Sequence, residues 1–194
     1  MSDEGASYGE QLLDASRRNN VDLLNTVFEN LGESSEKIAD LINNSRDPLG
    51  DTALHLCCQY GSWEVLDAIL DQDGIEIDPQ NTKDLDTPLH VIVRYAQEEP
   101  EHGTFMARNL IEVGADPRIR NKDGEKPIDL IHSDELDELI DLLQGAELAA
   151  DNDRADDDEQ GEDIEDDDAG DDDDDDADDA DDDADDADED EKDK

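Results

Sequence analysis

The pentapeptide DTALH at 51–55 returns as DTPLH at 86–90. The two threonines, Thr52 and Thr87, stand 35 residues apart, and a weaker copy, DGEKPIDLI at 123–131, places Pro127 39 residues after Pro88. Such a period implies small units stacked in a row. None buries its apolar face alone, and a core forms only where neighbours meet.

Each copy reads as a helix pair. Thr52 and Thr87 sit where an N-cap hydroxyl would hold the first free backbone N–H groups of a helix. Pro88 follows at the first helical position, where its missing N–H costs nothing. Leu54, Leu56 and Cys57 supply an inner stripe, Gly61 ends the helix, and Trp63, Val65, Leu66, Ile69 and Leu70 recur at helical spacing in the next one. IEIDPQN, 75–81, reads as an extended return, and QEEPEH, 97–102, as an enlarged loop between the helices of the following unit. Upstream, EQLLDASRRNN and VDLLNTVFENL form a degenerate first pair, and SSEKIADLINN, 34–44, an inserted helix. The last unit runs from Lys126 to about Leu148. Ser133 is expected to cap its helix, with Asp134 and Glu135 in the first turn and Leu136, Leu139, Ile140, Leu142 and Leu143 facing the stack.

These copies resemble the ankyrin repeat, whose period is about 33 residues with a T-P-L-H-x-A core. GADP, 114–117, matches that family's usual exit from its second helix. The resemblance spans roughly residues 8 to 149. It implies an all-α ankyrin-repeat solenoid of about four helix-pair units, the terminal ones degenerate. GSWEVLDAILDQDG, RYAQEEPEHGTF and DELDELIDLLQGAEL further resemble a small group of fungal ankyrin-repeat proteins with an acidic C-terminus. The expected layout is a disordered N-terminus at 1–7, the repeat domain at 8–150 and a disordered Asp-rich tail at 151–194.

Asp51, His55, Cys57 and Cys58 are metal-ligand types within eight positions. His recurs at 55 and 90, whereas the second copy carries Val-Ile-Val where the cysteines stand. In the family resembled, the His of TPLH hydrogen-bonds backbone in the turns between repeats, and a buried free Cys behaves as a small apolar residue. A structural role is therefore the reading, and Asp129 in place of His leaves the last turn less firmly tied. No zinc spacing, phosphate-cradling Gly-rich loop or nucleophile elbow occurs. No catalytic, cofactor or metal residues are expected, and no enzyme activity.

A stack of this kind offers a concave face built from its protruding turns and first helices. On this chain that face would draw on Pro48, Leu49, Asp51, Gln59 and Tyr60, on Asp78, Gln80, Asn81, Asp84, Arg94 and Tyr95, and on Arg118, Arg120 and Lys122. For each residue the alternative is a solvated surface position. Arg118, Arg120, Lys122 and Lys126 also form a basic cluster. Either the acidic tail folds back onto it, or it balances nearby Asp.

The formal net charge is −49. Residues 151–194 hold 30 acidic and 3 basic residues, a net of −27; the first 150 hold 33 and 11, a net of −22. Such a field repels phosphate and anionic membrane, which excludes nucleic acid and membrane as direct partners. The tail has three readings: a polyanion mimic that shields a basic client, a weak divalent-cation binder, or a solubility device. The leading function is a chaperone or escort for a basic client, a newly made ribosomal protein or translation factor. Its layout is similar to that of a small ankyrin-repeat escort of a ribosomal protein in yeast. The alternative is a regulatory adaptor that docks a non-basic partner. A monomer in the cytoplasm, with nuclear entry open, is expected from the size and the two adjacent cysteines.

Overall fold

The computed structural model of the chain describes residues 5–32, 34–133 and 135–157, the last five by backbone alone. Eight α-helices and one 3-10 turn make up its regular structure, with no strand among the described residues. They pair as α1 (Tyr8–Arg18) with α2 (Val21–Asn30), α4 (Ala53–Tyr60) with α5 (Trp63–Leu70), and α6 (Pro88–Ala96) with α7 (Pro100–Glu112). The 3-10 turn Pro127–Leu130 pairs with α8 (Asp137–Asp157). The inserted α3 (Ser35–Asn44) stands between the first two units.

The first helices stack on one another, α1 on α4, α4 on α6, and α6 on the 3-10 turn. This sandwiching explains α4: Ala53, Leu54, His55, Leu56, Cys57 and Cys58 are all buried, because both sides of the helix face a neighbour. The second helices form the outer layer. Val65, Leu66 and Ile69 of α5, and Met106 and Leu110 of α7, point inward. On the outside Trp63 meets Phe105 edge-on, with centroids 4.6 Å apart. Leu136, just before α8, and Leu139 and Leu143 within it close the stack, and Ile140 and Leu142 remain half-buried. Each fully buried Leu or Ile contributes about 2 kcal/mol of transfer free energy.

The all-helical solenoid expected from the repeats is therefore observed, with local differences. QEEPEH is not a loop throughout: only residues 97–99 are non-helical, and Pro100 opens α7 as its first residue, lengthening that helix to 13 residues against 8 in α5. Proline at the first helical position lacks an N–H that the helix would leave free in any case. The last helix does not start after Ser133. The Ser133 hydroxyl accepts from the Glu135 N–H at 3.2 Å in a turn, and α8 begins only at Asp137. It then runs past Ala150 through Asp157, so residues 151–157 are helical. The rest of the tail expectation, 158–194, lies outside the described residues, as do residues 1–4.

Position by position, the repeat solves one problem in several ways. Gly61 ends α4 at φ 65°, and its equivalent Asn19 ends α1 at φ 52°. Asparagine tolerates this conformation and adds a tie. Its Oδ1 accepts from the Val65 N–H at 3.1 Å, capping α5 of the next unit, and its Nδ2 donates to Glu64. In α3, Asn43 spans the return loop, donating to Gly74 O and accepting from the Glu76 N–H, each at 2.9 Å.

Candidate protein-interaction surface

Three protruding turns, here called fingers, lie side by side at residues 47–51, 81–86 and 121–125. One side chain organises each. Asp47 Oδ1 accepts from the N–H groups of Leu49 and Asp51 (2.8 and 3.0 Å). Asn81 Oδ1 does so from Asp84 and Asp86 (3.0 and 3.2 Å), and Asn121 Oδ1 from Asp123 and Glu125 (both 3.0 Å). The second finger is one residue longer than its neighbours. The amide left over on each Asn reaches the finger before it: Asn81 Nδ2 donates to Asp51 Oδ1 (2.8 Å) and Asn121 Nδ2 to Asp86 Oδ1 (3.1 Å). Gly50, at φ 82°, has no room for a Cβ because Thr82 of the next finger packs against it.

The histidines lock fingers to helices. The Thr52 N–H donates to His55 Nδ1 at 3.2 Å, and His55 Nε2 donates to Asp86 O at 2.8 Å. His90 repeats this with the Thr87 N–H (3.1 Å) and Glu125 O (3.0 Å). The threonine hydroxyls also meet Nδ1, at 2.9 Å, so the cap is shared with the imidazole rather than formed by the hydroxyl alone. Glu10 takes the position in the first unit, accepting from the Ser7 N–H at 2.7 Å, and Asp129 in the last, accepting from the Lys126 N–H at 2.9 Å. Neither carboxylate bridges to a further finger.

The suspected metal cluster is thus dispersed among four tasks. Asp51 serves Asn81, His55 serves Asp86 O, Cys57 bonds Ser16, and Cys58 is simply buried. Burial pushes the Cys57 thiol up to about 12 and Cys58 well above its ordinary range. Reaction with a thiol reagent needs thiolate and access. Neither cysteine is therefore expected to react with an aromatic disulfide reagent until urea unfolds the chain, and a titration in native buffer checks this. Among the described residues no group of three or more His, Cys, Asp or Glu is placed to hold a metal ion, and no helix is long and apolar enough to cross a membrane.

Between fingers and first helices runs an open groove of about 310 Å³. Leu49, Asp51, Gln59, Asn81, Asp84, Arg94 and Tyr95 line it, half of the residues expected to form the concave face. The other seven lie elsewhere, Pro48 exposed on the first finger. Tyr60 is 53% exposed at the end of α4. Gln80 and Arg120 stiffen fingers: Gln80 Nε2 donates to Leu85 O (2.8 Å) and Arg120 O (3.1 Å), and Arg120 donates to Gly124 O. Lys122 pairs with Asp84 at 3.0 Å, raising the Lys122 pKa and lowering that of Asp84. Asp78 is half-buried at the base, accepting from the Asp116 N–H at 2.9 Å, and its Oδ1 has no hydrogen-bond partner. Within the groove, Arg94 is held by Asp86, and the Tyr95 hydroxyl lies over Gly61 and 3.0 Å from His102 Nδ1.

Lys83, Asp86, Val91 and Glu98 complete the lining and were not among the expected residues. The extra residue in the second finger shifts Lys83 out of register, and Glu98 falls in the segment read as a loop.

Arg118 holds α8. It pairs with Asp116 (2.9 Å) and also donates to Ala150 O (2.7 Å) and Asp151 Oδ1 (3.0 Å). Lys126 pairs with Glu147 at 2.7 Å. Arg118, Lys122 and Lys126 are thus each matched to a carboxylate, and Arg120 to a carbonyl. These contacts also place the C-terminal part of α8 beside the third finger.

Stability should respond to pH through this framework. Burial depresses the pKa of His55 and His90, and protonating Nδ1 would turn it against the threonine N–H that donates to it. Their contribution is present above the unfolded value of 6.5 and lost as pH falls below it. Asp78 acts oppositely. Burial raises its carboxyl to about 6, so its contribution is present at low pH and lost as pH rises through 6. Between pH 7 and 5 the two imidazoles, which take up protons more readily in the unfolded chain, oppose the single carboxyl of Asp78. Urea midpoints from pH 7 to 5 should fall, and fall more steeply in Asp78→Asn.

The family model for ankyrin repeats in three copies matches residues 12–121. The chain belongs to the ankyrin-repeat family. It is similar to the ankyrin repeat-containing protein YGL242C of Saccharomyces cerevisiae, 73% identical over 169 residues that span 86% of this chain and 93% of that protein. This bears out the resemblance to a fungal ankyrin-repeat protein. It is also similar to ankyrin repeat and SOCS box protein 11 of Danio rerio, 33% identical over 93 residues, 48% of this chain and 29% of that protein. Ankyrin repeats are protein–protein interaction modules, and the family is not one of enzymes.

Proposed function

We propose that this ankyrin protein holds a basic partner protein, with a newly made component of the translation machinery, a ribosomal protein or an elongation factor, as the client class. The observation that carries the reading is where the acidic segment is attached. Arg118 and Lys126 fasten Asp151 and Glu147 beside the third finger, and 26 further acidic residues follow Asp157. α8 therefore brings its own carboxylates, Glu147 and Asp151, to the finger side of the solenoid. A client lying across the fingers meets the part of the chain from which the acidic run continues in sequence. The fingers supply shape and hydrogen bonding. The acidic segment supplies attraction over distance and cover for a surface built to meet phosphate.

Affinity capture from RNase-treated extract, with residues 1–194 and 1–157 as parallel baits, tests the reading. A basic protein enriched by both and retained more firmly by the full chain is the expected result. A single non-basic partner, indifferent to residues 158–194, replaces the escort reading with that of a regulatory adaptor. Many unrelated basic proteins on the full chain and none on 1–157 leave the fingers without a role.

A further inference from the structure

The second finger carries an anomaly. Leu85 has φ 55°, a left-handed conformation that costs an L-residue with a Cβ free energy. The equivalent positions in the neighbouring fingers are Gly50 at φ 82° and Gly124 at φ 79°. The other non-glycine residue with positive φ among those described is Asn19, whose type tolerates it. Burial does not compensate at Leu85, which is 44% exposed. Its backbone is fastened instead, with Gln80 Nε2 donating to the Leu85 carbonyl at 2.8 Å. A large apolar side chain is therefore held outward, in a costly conformation, on a turn where the repeat elsewhere uses glycine. Backbone strain maintained by surrounding bonds is a mark of functional positions.

Its setting points to the occupant. Leu49, on the preceding finger, is also exposed (51%). The groove between these fingers and α6 is lined by four carboxylates, Asp51, Asp84, Asp86 and Glu98, against two cations, Lys83 and Arg94. Both cations are already paired, Lys83 with Asp84 and Arg94 with Asp86, and Glu98 is exposed without an ion pair. The lining is thus acidic beside an apolar rim.

From this we infer that Leu85 is a specificity-determining contact residue. It packs against a bulky apolar side chain carried within a Lys- and Arg-rich segment of the partner. The inference rests on the basic-partner reading and adds to it the apolar residue that the cations flank. Charge draws any basic chain; the leucine distinguishes among them.

A random 16-residue peptide display library, panned on the full chain with soluble poly-aspartate as competitor, tests this. Poly-aspartate removes peptides that bind acidic runs by charge alone. The expected selection is Lys and Arg flanking a large apolar residue. Synthetic copies should bind Leu85→Gly and Leu85→Asn at least tenfold more weakly, while both variants unfold at higher urea than the parent, since each residue accepts the left-handed conformation. That opposition of signs separates a contact role from a structural one. Equal affinity for parent and variants overturns the inference and leaves the basic-partner reading standing. Variants less stable than the parent make Leu85 structural and also overturn it. Selection of peptides without basic residues, or of none above background, defeats the basic-partner reading itself.

Discussion

His55→Ala is expected to destabilise the protein by about 4 kcal/mol. One buried backbone group, the Thr52 N–H, is orphaned at a cost of about 1–3 kcal/mol, and the Asp86 carbonyl, which still accepts from the Asn81 N–H at 2.9 Å, loses the second of its two donors at about 1 kcal/mol. The missing ring leaves a void between α4 and the second finger as well. The damage extends beyond one repeat, because Asp86 also anchors Arg94 and accepts from Asn121 of the third finger. His90→Ala should cost about half as much, since its acceptor, Glu125 O, is only part-buried and water can replace the ring. His55→Asn should fall between: its short side chain can still accept from the Thr52 N–H but cannot span to Asp86 O. Urea denaturation reads all three as changes in midpoint at constant slope. Equal, small losses for His55 and His90 would mean that the cross-repeat bonds carry little.

Removing residues 158–194 is expected to slow association with a basic client by 10- to 1,000-fold at low ionic strength. The segment taken away carries 26 acidic and 2 basic residues. Dissociation should change only a few-fold, because α8 and the fingers remain. Raising salt toward 1 M, where the Debye length is ~3 Å, should bring the two forms together. Stopped-flow mixing with the captured client at several salt concentrations measures this. Association rates that coincide at low salt would reduce the acidic segment to a solubility device.

How much of this was legible depended on how each feature is encoded. DTALH and DTPLH carry the helix start and cap in five contiguous residues, so the repeat and its helices could be read directly, and the ankyrin resemblance of the same residues supplied the role of His55. QEEPEH misled because Pro100 suits a first helical position as well as a loop, and choosing between them requires the packing of α7 against α6. The delayed start of α8 was hidden for a similar reason: Ser133 does bond a backbone N–H, but in a turn preceding the helix. The groove was half legible. Leu49, Asp51 and Gln59 follow from the repeat register, whereas Lys83 and Glu98 sit at a one-residue insertion and a segment misread as a loop. Leu85 gave no signal at all, since a conformational cost appears only in φ. Its single trace is the leucine standing where DPLGDT and NKDGEK have glycine.

The account's central claim is that the fingers and the adjoining groove receive the partner, on the side where Arg118 and Lys126 hold α8. Amide hydrogen exchange of the full chain, alone and with its captured client, tests this most directly. The account predicts slowed exchange at residues 47–51, 81–86 and 121–125 and in the last turns of α4 and α6, with the outer face of α5 and α7 around Trp63 and Phe105 unchanged. Protection centred on Trp63 and Phe105, with the fingers exchanging as in the free protein, would contradict it.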